Sequence, residues 1–445
     1  MSPRALCRMA AVFAAVVLAM AGQPGWATSG LGPRTPIRHL VVMTQDQHSF
    51  DNYLGTRTGV DGIPSGVCLP ARTGAAVACV APFALEKSGP RANLRATAAA
   101  QQISVAGGRM DGFVLAQTTR SSDGAAAMGY YRPDALPVMT QLADQGVVFD
   151  HWFSSVPGGT IANRLAAISG TVVSDTGQVP AGGWPDMSVI FDRLQAADVS
   201  WKIYVEKYEP ALTVTTAGPA ARRGGQLARV PVLALPRYEH DAALLSHVVD
   251  LNDYYADLVS GALPAVSWIV TTASSERSPA DPTAGQRVVR SVVDALAGSS
   301  AWSSSAFLLT YDSSGGWYDH VAPPMRSGAV LGLRVPTVLV SPYAPQGSVD
   351  PTVYDSSSVL RFIESNWSLA PLTSRDATAT NLASAFSFDQ PPRPASILGP
   401  ADTGQAVPAP HRLTLYLSYL LALAAVMVIL AWAVRGRDPR TRGPA

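Results

Sequence analysis

The sequence predicts an α/β fold, a three-layer α/β/α sandwich around a mostly parallel central sheet. Three observations predict it. Short apolar runs of strand length recur along the 445 residues, at 37–43, 147–153, 200–205, 265–271, 305–311 and 335–341. Several are almost continuously apolar, as parallel strands covered on both faces are. Stretches of helical character lie between them, at 134–145, 162–170, 188–197, 240–260, 284–299 and 356–367, and strands alternating with helices build parallel sheets.

Taken in order, the first run, IRHLVVM at 37–43, stops at TQDQHSFDN, a dense polar patch. The second run, 147–153, leads into Pro157-Gly158-Gly159-Thr160 and then the predicted helix 162–170. After 265–271 come Ser274, Ser275, Glu276 and Arg277, and after 305–311 come Asp312, Ser313, Ser314, Gly315 and Gly316. The segment 284–299 places Val288, Val289, Val292, Val293 and Leu296 at helical spacing. In open α/β sheets ligands bind beyond the carboxyl ends of the strands. If these strands are parallel, four polar segments from distant sequence meet at one edge, as a catalytic site on this class of fold requires.

Composition narrows the function. With 47% hydrophobic residues, 15% charged residues and a net charge of +1, the chain carries a large core and no strong electrostatic bias. No basic stripe interleaved with aromatics is present, so nucleic acid is not an expected partner. Residues 1–27 have Arg4 and Arg8, an apolar run and Gly25-Trp26-Ala27, the pattern of a secretory signal, cleaved or kept as an anchor. The folded domain is then expected over 28–390 and a Pro-rich linker over 391–412. An uncharged stretch at 413–434 is long enough to span a bilayer or to form a buried core helix. The basic tail 435–445 that follows favours the span, a cytoplasmic C-terminus and a domain held at the membrane outside the cytoplasm. In that setting Cys68 and Cys79 read as a disulfide. The cysteines are too few for a four-ligand zinc site.

Seven segments together resemble a known family. They are TQDQHSFDNYLGT at 44–56, GGRMDGF at 107–113, FDHWFSSVPGGTIANRLAAISGT at 149–171 and LPAVSWIV with SSERSP at 263–279. LLTYDSSGGWYDHVAPP at 308–324, GLRVPTVLVSPYA at 332–344 and YDSSSVLRFIESNW at 354–367 complete the series. In this order they resemble the bacterial phosphoesterase family of non-haemolytic-type phospholipases C and related acid phosphatases, within the alkaline-phosphatase-like superfamily.

The resemblance implies a metal-assisted hydrolase of phosphoesters, phospholipids among them. Such chemistry needs a divalent cation on hard oxygen ligands beside an oxygen nucleophile. By motif position Asp46, Gln47, Thr160 and Asp312 stand where the metal ligands are, and Thr160 stands at the nucleophile. Thr160 is also a natural helix N-cap, which is the alternative reading. Asn163, Asp319 and His320 complete the catalytic set that the resemblance implies, and Arg164 either donates to phosphate or makes a structural ion pair. Gly158 and Gly159 leave room for backbone N–H groups to approach an anion.

Several motif positions depart from the family. Asp46 replaces Glu, Gln47 replaces Asn, Ser313 replaces Glu, and Arg277 and Ser356 replace His. His48 stands at an Arg position, where it either takes over some of the lost function or bonds a loop backbone. Glu276 is either a carboxylate supporting the site or a surface partner of Arg277. Two classes of function follow: a membrane-tethered phosphoesterase, or a non-catalytic relative that binds ligands at the cell surface. Metal content separates them.

Overall fold

The computed structural model describes residues 32–71, 79–85, 93–119 and 122–398. At its centre is an eight-stranded sheet. In chain order its strands are β1 (His39–Gln45), β2 (Val147–Phe149), β3 (Trp201–Val205), β4 (Val248–Asp250), β5 (Val266–Val270), β6 (Ser305–Tyr311), β7 (Val338–Val340) and β8 (Ser348–Asp350). Across the sheet they run β8-β2-β7-β6-β1-β5-β3-β4.

β1 lies between β5 and β6, parallel to both, with Thr44 opposite Val270 and Thr310. All but its first residue are buried, as are all of β5 and β6. This explains their near-continuous apolar sequences: a strand covered on both faces has no solvent side on which to place polar residues. Two short edge strands, β4 and β8, carry no such run and were not expected from sequence.

One strand breaks the expected pattern. β7 is antiparallel to both β6 and β2, whereas the remaining pairs in the sheet are parallel. Its leading residues, Arg334 among them, therefore arrive at the edge where the other strands end. The predicted strand 147–153 also divides. Val147–Phe149 joins the main sheet, and Trp152–Phe153 pairs with Tyr354–Asp355 in a separate ribbon.

Two groups of helices flank the sheet. α1 (Pro137–Gln145), α6 (Pro282–Ala297) and α5 (Leu251–Ser260) contact one another in series. α2 (Thr160–Ser169) contacts α3 (Ile190–Ala196), α4 (Gly225–Arg229) and α7 (Ser357–Asn366). Val42 and Thr44 of β1 face this second group, alongside Asn163, Ala167 and Val359. α6 shows why the helices form where they do. Asp281 caps its first turn by accepting from Thr283 N, Pro282 opens it, and Val289, Val292, Val293 and Leu296 form its buried stripe. Each such side chain contributes about 1.5–3 kcal/mol by leaving water.

Cys68 and Cys79 are joined in a disulfide with Cα atoms 5.3 Å apart, as expected. The described start of the predicted linker lies on the domain: Arg393 donates to Ser341 O, and Leu398 bonds Asp294 and Arg290. The expected localisation as a single-pass membrane protein, anchored by a C-terminal helix, is corrected. No helix among the described residues is long and apolar enough to cross a membrane. The longest of them, α6, has 16 residues and a charged face with Arg287, Arg290 and Asp294; a span needs about 20 apolar residues. The segments 1–27 and 413–434, on which the signal and the anchor were read, lie outside the described residues.

Candidate active site

The carboxyl edge of the sheet gathers two clusters of buried charge. The first begins where β1 ends. Gln47 takes a left-handed backbone conformation (φ +58°), which turns the chain sharply after Asp46. Gly315 (φ +68°) packs against that turn, and a Cβ there would meet Gln47 O at 2.2 Å. Gly315 is thus what lets the Asp312 loop close on Gln47. Asp312 Oδ1 accepts from Gln47 N at 3.3 Å and from Ser313 Oγ at 3.0 Å.

Two arginines bind these carboxylates. From α2, Arg164 Nη2 donates to Asp46 Oδ1 at 2.8 Å and Arg164 Nε to Asp312 Oδ2 at 3.0 Å. From α4, Arg229 Nε donates to Asp46 Oδ2 at 2.8 Å, and Ser275 Oγ donates to the same oxygen. All four charged groups are buried. Thr160, the first residue of α2, is half-buried, and its Oγ1 accepts from Gln47 Nε2 at 2.9 Å.

The arginines divide the protons unevenly. Burial alone would raise the Asp46 carboxyl, but Arg229 and Arg164 outweigh it and hold it well below the usual carboxylate range. Asp312 shares only Arg164. Burial, opposed by Arg164 and reinforced by the charge of Asp46, pushes it up to about 6.

The turn before Thr160 is already occupied. Gly158 N donates to Gln101 Oε1 at 3.2 Å, and Gly159 N to Asp175 Oδ2 at 2.7 Å. The carboxylate of Asp175 thus sits at the start of α2, where the helix dipole favours an anion. Asn163 holds this turn from behind, donating to Val156 O and Gly159 O and accepting from Val156 N.

The second cluster holds Asp51, Asp319, His320 and Arg334. Arg334 Nε donates to Asp319 Oδ1 at 2.8 Å, Nη2 to Asp51 Oδ1 at 3.0 Å, and Nη1 to the carbonyls of Asp61 and Asp150 at 2.8 Å. His320 Nδ1 lies 2.7 Å from Asp51 Oδ2, and its Nε2 lies 3.0 Å from Asp61 Oδ1. Burial pushes Asp319 up to about 6, against the pull of Arg334. His320 is raised: burial acts to lower it, but its hydrogen bond with Asp51 and that carboxylate's charge outweigh burial.

The structure therefore brings together Asp46, Gln47, Thr160, Arg164 and Asp312. Asp319 and His320 instead bond Asp51, Asp61 and Arg334. His48 is buried, with Nε2 on Glu276 O at 2.8 Å, Nδ1 on Asn52 Oδ1 at 2.6 Å and its ring stacked on Tyr53 at 4.1 Å. Glu276 does not pair with Arg277, which is exposed. It is buried, accepts from Tyr53 Oη and Tyr311 Oη at 2.7 and 2.6 Å, and is pushed up to about 7 by burial against those bonds. Sequence reading missed Arg229 and Asp175, which lie outside the seven motif segments, and named Ser275 only as part of a polar strand end. It also left Arg334 unassigned, although an arginine just before the predicted strand 335–341 was a visible clue.

The sequence matches the Phosphoesterase family over residues 37–370. The chain belongs to that family. Curated relatives include Non-specific phospholipase C6 of Arabidopsis thaliana, 28% identical over 81% of this chain and 74% of that protein. Phospholipase C B of Mycobacterium tuberculosis is 29% identical over 86% of this chain and 85% of that protein. Among solved structures, a phosphonate monoester hydrolase of Agrobacterium radiobacter covers 75% of this chain and 74% of its own, at a TM-score of 0.36 and 10% identity. A protein in the alkaline phosphatase superfamily from Vibrio parahaemolyticus covers 81% and 75%, at a TM-score of 0.34 and 11% identity. The family match carries the assignment: this Phosphoesterase-family chain is a hydrolase acting on phosphoester bonds.

Families of this kind are typically metal dependent, and the two clusters differ as ion sites. Asp51, Asp319 and His320 form a group that could hold a metal ion, with ligand atoms within 4.8 Å of one another. The set Asp46, Gln47, Thr160 and Asp312 does not fit a divalent cation as arranged. Asp46 Oδ2 already accepts from Arg229 and Ser275, Asp312 Oδ1 already accepts twice, and Arg164 takes the remaining oxygen of each.

Proposed function

We propose that this Phosphoesterase-family chain cleaves phosphodiesters of the phospholipase C type with Thr160 as nucleophile. The observation that carries the reading is the position of the Thr160 hydroxyl. It is half-buried at the start of a ten-residue helix, bonded to Gln47, in a cluster with buried Arg164 and Asp312. A hydroxyl there attacks a phosphoryl group whose charge is met by the helix dipole and by guanidinium groups. The Thr160 Oγ–P bond forms as the P–O bond to the leaving alcohol breaks, and the hydroxyl proton ends on that alcohol. Water then cleaves the phosphothreonine, returns a proton to Oγ and releases the phosphorylated headgroup. Relatives named phospholipase C support the substrate class.

The test is turnover of p-nitrophenyl phosphorylcholine, phosphatidylcholine vesicles and p-nitrophenyl phosphate by wild type, Thr160→Ala and Thr160→Ser. Expected is a fall of several orders of magnitude in Thr160→Ala with an unchanged melting temperature, and partial activity in Thr160→Ser. The N-cap of α2 is Gly159 and not Thr160, so an active Thr160→Ala leaves Thr160 only a hydrogen-bond partner of Gln47 and removes it from the mechanism.

A second reading, ligand binding without turnover, is favoured by one observation. Asp175 holds the N–H of Gly159, where a phosphoryl oxygen would sit. Binding of phosphate by a wild type that turns over none of the three substrates would select it.

A further inference from the structure

Arg229 is the least expected group in the site. It lies outside all seven motif segments and reaches Asp46 across 183 residues of sequence. Its Nη1 donates to Gly225 O at 3.2 Å, so the guanidinium is clamped to its own short helix as well as to the carboxylate. With Arg164 it brings two positive charges to two negative ones, so the buried quartet is already neutral. A divalent cation added at Asp46 and Asp312 would leave two uncompensated charges among groups with little access to water, which a protein interior does not support. The carboxylate that the resemblance places at position 313 is a serine, and its hydroxyl donates to Asp312 rather than binding a cation. A guanidinium fork also matches the geometry of phosphoryl oxygens, and it stays charged when buried.

We propose that the guanidinium pair of Arg164 and Arg229 takes the place of a divalent cation at this phosphoryl centre. Phosphate binding and ester cleavage at Thr160 then proceed with no metal on Asp46 and Asp312. The proposal rests on the reading of Thr160 as the reaction centre, and its test is independent of turnover. Arg229 is a positioning residue: it fixes Asp46 and supplies the second positive charge.

The experiment uses the full chain after exhaustive chelation, with and without added Mg²⁺, Ca²⁺, Mn²⁺ or Zn²⁺. Inorganic phosphate binding is followed by calorimetry, bound ions by plasma mass spectrometry, and ester turnover in parallel. Expected is a phosphate Kd that changes less than about twofold between the chelated and ion-supplemented wild type. Arg229→Met should weaken phosphate at least about tenfold. It should also gain a divalent-ion site that the wild type lacks, because the cluster is then left with a net negative charge. Arg229→Lys should recover most of the phosphate affinity. Melting temperatures of both variants separate a folding defect from a lost charge.

The proposal is overturned if chelation weakens phosphate tenfold and an added ion restores it, or if the chelated wild type binds no phosphate. It is equally overturned if the wild type holds one ion per chain that Asp46→Asn removes. Ions that survive Asp46→Asn belong to another group, such as Asp51, Asp319 and His320. If no ester is turned over under any condition, the hydrolytic reading fails, while the phosphate and ion measurements still decide the role of the arginines.

Discussion

The two charge clusters use the same ingredients to opposite ends. Around Arg334, two carboxylates share one guanidinium whose Nε, Nη1 and Nη2 are all engaged, and its Cζ lies 4.6 Å from the Phe50 ring centroid. Around Arg164, two carboxylates meet two guanidiniums, yet the buried Arg164 Nη1 has no hydrogen-bond partner among the described residues, and a half-buried hydroxyl completes the group. That nitrogen's residue lines a cavity of about 20 Å³, room for one water. A fully satisfied cluster fixes the loop after β1 to the approach to β7. An incompletely satisfied one keeps donors and a hydroxyl available. On the proposed function, the first cluster ties loops together and the second is the reaction centre.

The largest effect that would sharpen this contrast is on stability. Arg334→Met leaves Asp51 and Asp319 buried without their guanidinium, held by backbone N–H groups and His320, and breaking such a pairing costs about 3–5 kcal/mol. Arg229→Met leaves Asp46 with Arg164 and Ser275 and should cost clearly less. Urea denaturation of both variants decides it, and equal losses would erase the distinction between scaffold and site.

The next effect is a pH dependence at Glu276, which bonds Tyr311 beside Asp312 and Tyr53 beyond Asp51. Its carboxyl ionises near 4.5 when unfolded and is pushed up to about 7 in the fold. Between those values the folded state holds the extra proton, so this group's contribution to stability falls as pH rises. The full excursion is on the order of 3 kcal/mol. Glu276→Gln should match wild type below pH 4.5 and exceed it at pH 8. Parallel stability curves would show that Glu276 does not carry this proton.

The smallest effect concerns Asp175, the carboxylate resting on Gly159 N. Asp175→Asn removes a competing anion from the start of α2. Phosphate affinity should rise about two- to fivefold, the scale of a single charge at a helix end, with stability changed by less than about 1 kcal/mol. A weaker phosphate interaction would place the ligand elsewhere in the cluster.

Much of the fold was legible because strands and helices are written locally. The apolar runs around β1, β5 and β6, and the Asp281-Pro282 start of α6, need no knowledge of distant residues. The convergence of Asp46, Thr160 and Asp312 was legible for a related reason: Asp46 and Asp312 directly follow neighbouring parallel strands, Thr160 follows the predicted strand 147–153, and parallel strands end at one edge. His48 and Glu276 were less legible. Their polar side chains at a strand edge suggested chemistry, yet the fold buries both among Tyr53, Tyr311 and Trp317.

What the sequence by itself determined is the fold class, the central strands, the family and the half of the site that lies in contiguous motifs, since each depends on residues within a few positions of one another; the edge strand Val248–Asp250 inside the stretch 240–260 read as helix was not among them. The tertiary structure alone decided which charges pair. Nothing near Arg229 in sequence points to Asp46, and nothing near Arg334 says that β7 runs backwards and delivers it to Asp51 and Asp319. Coulombic attraction has no sequence register: it acts between whichever buried groups the crossovers bring within about 3 Å, and burial then makes those few pairs outweigh every exposed one.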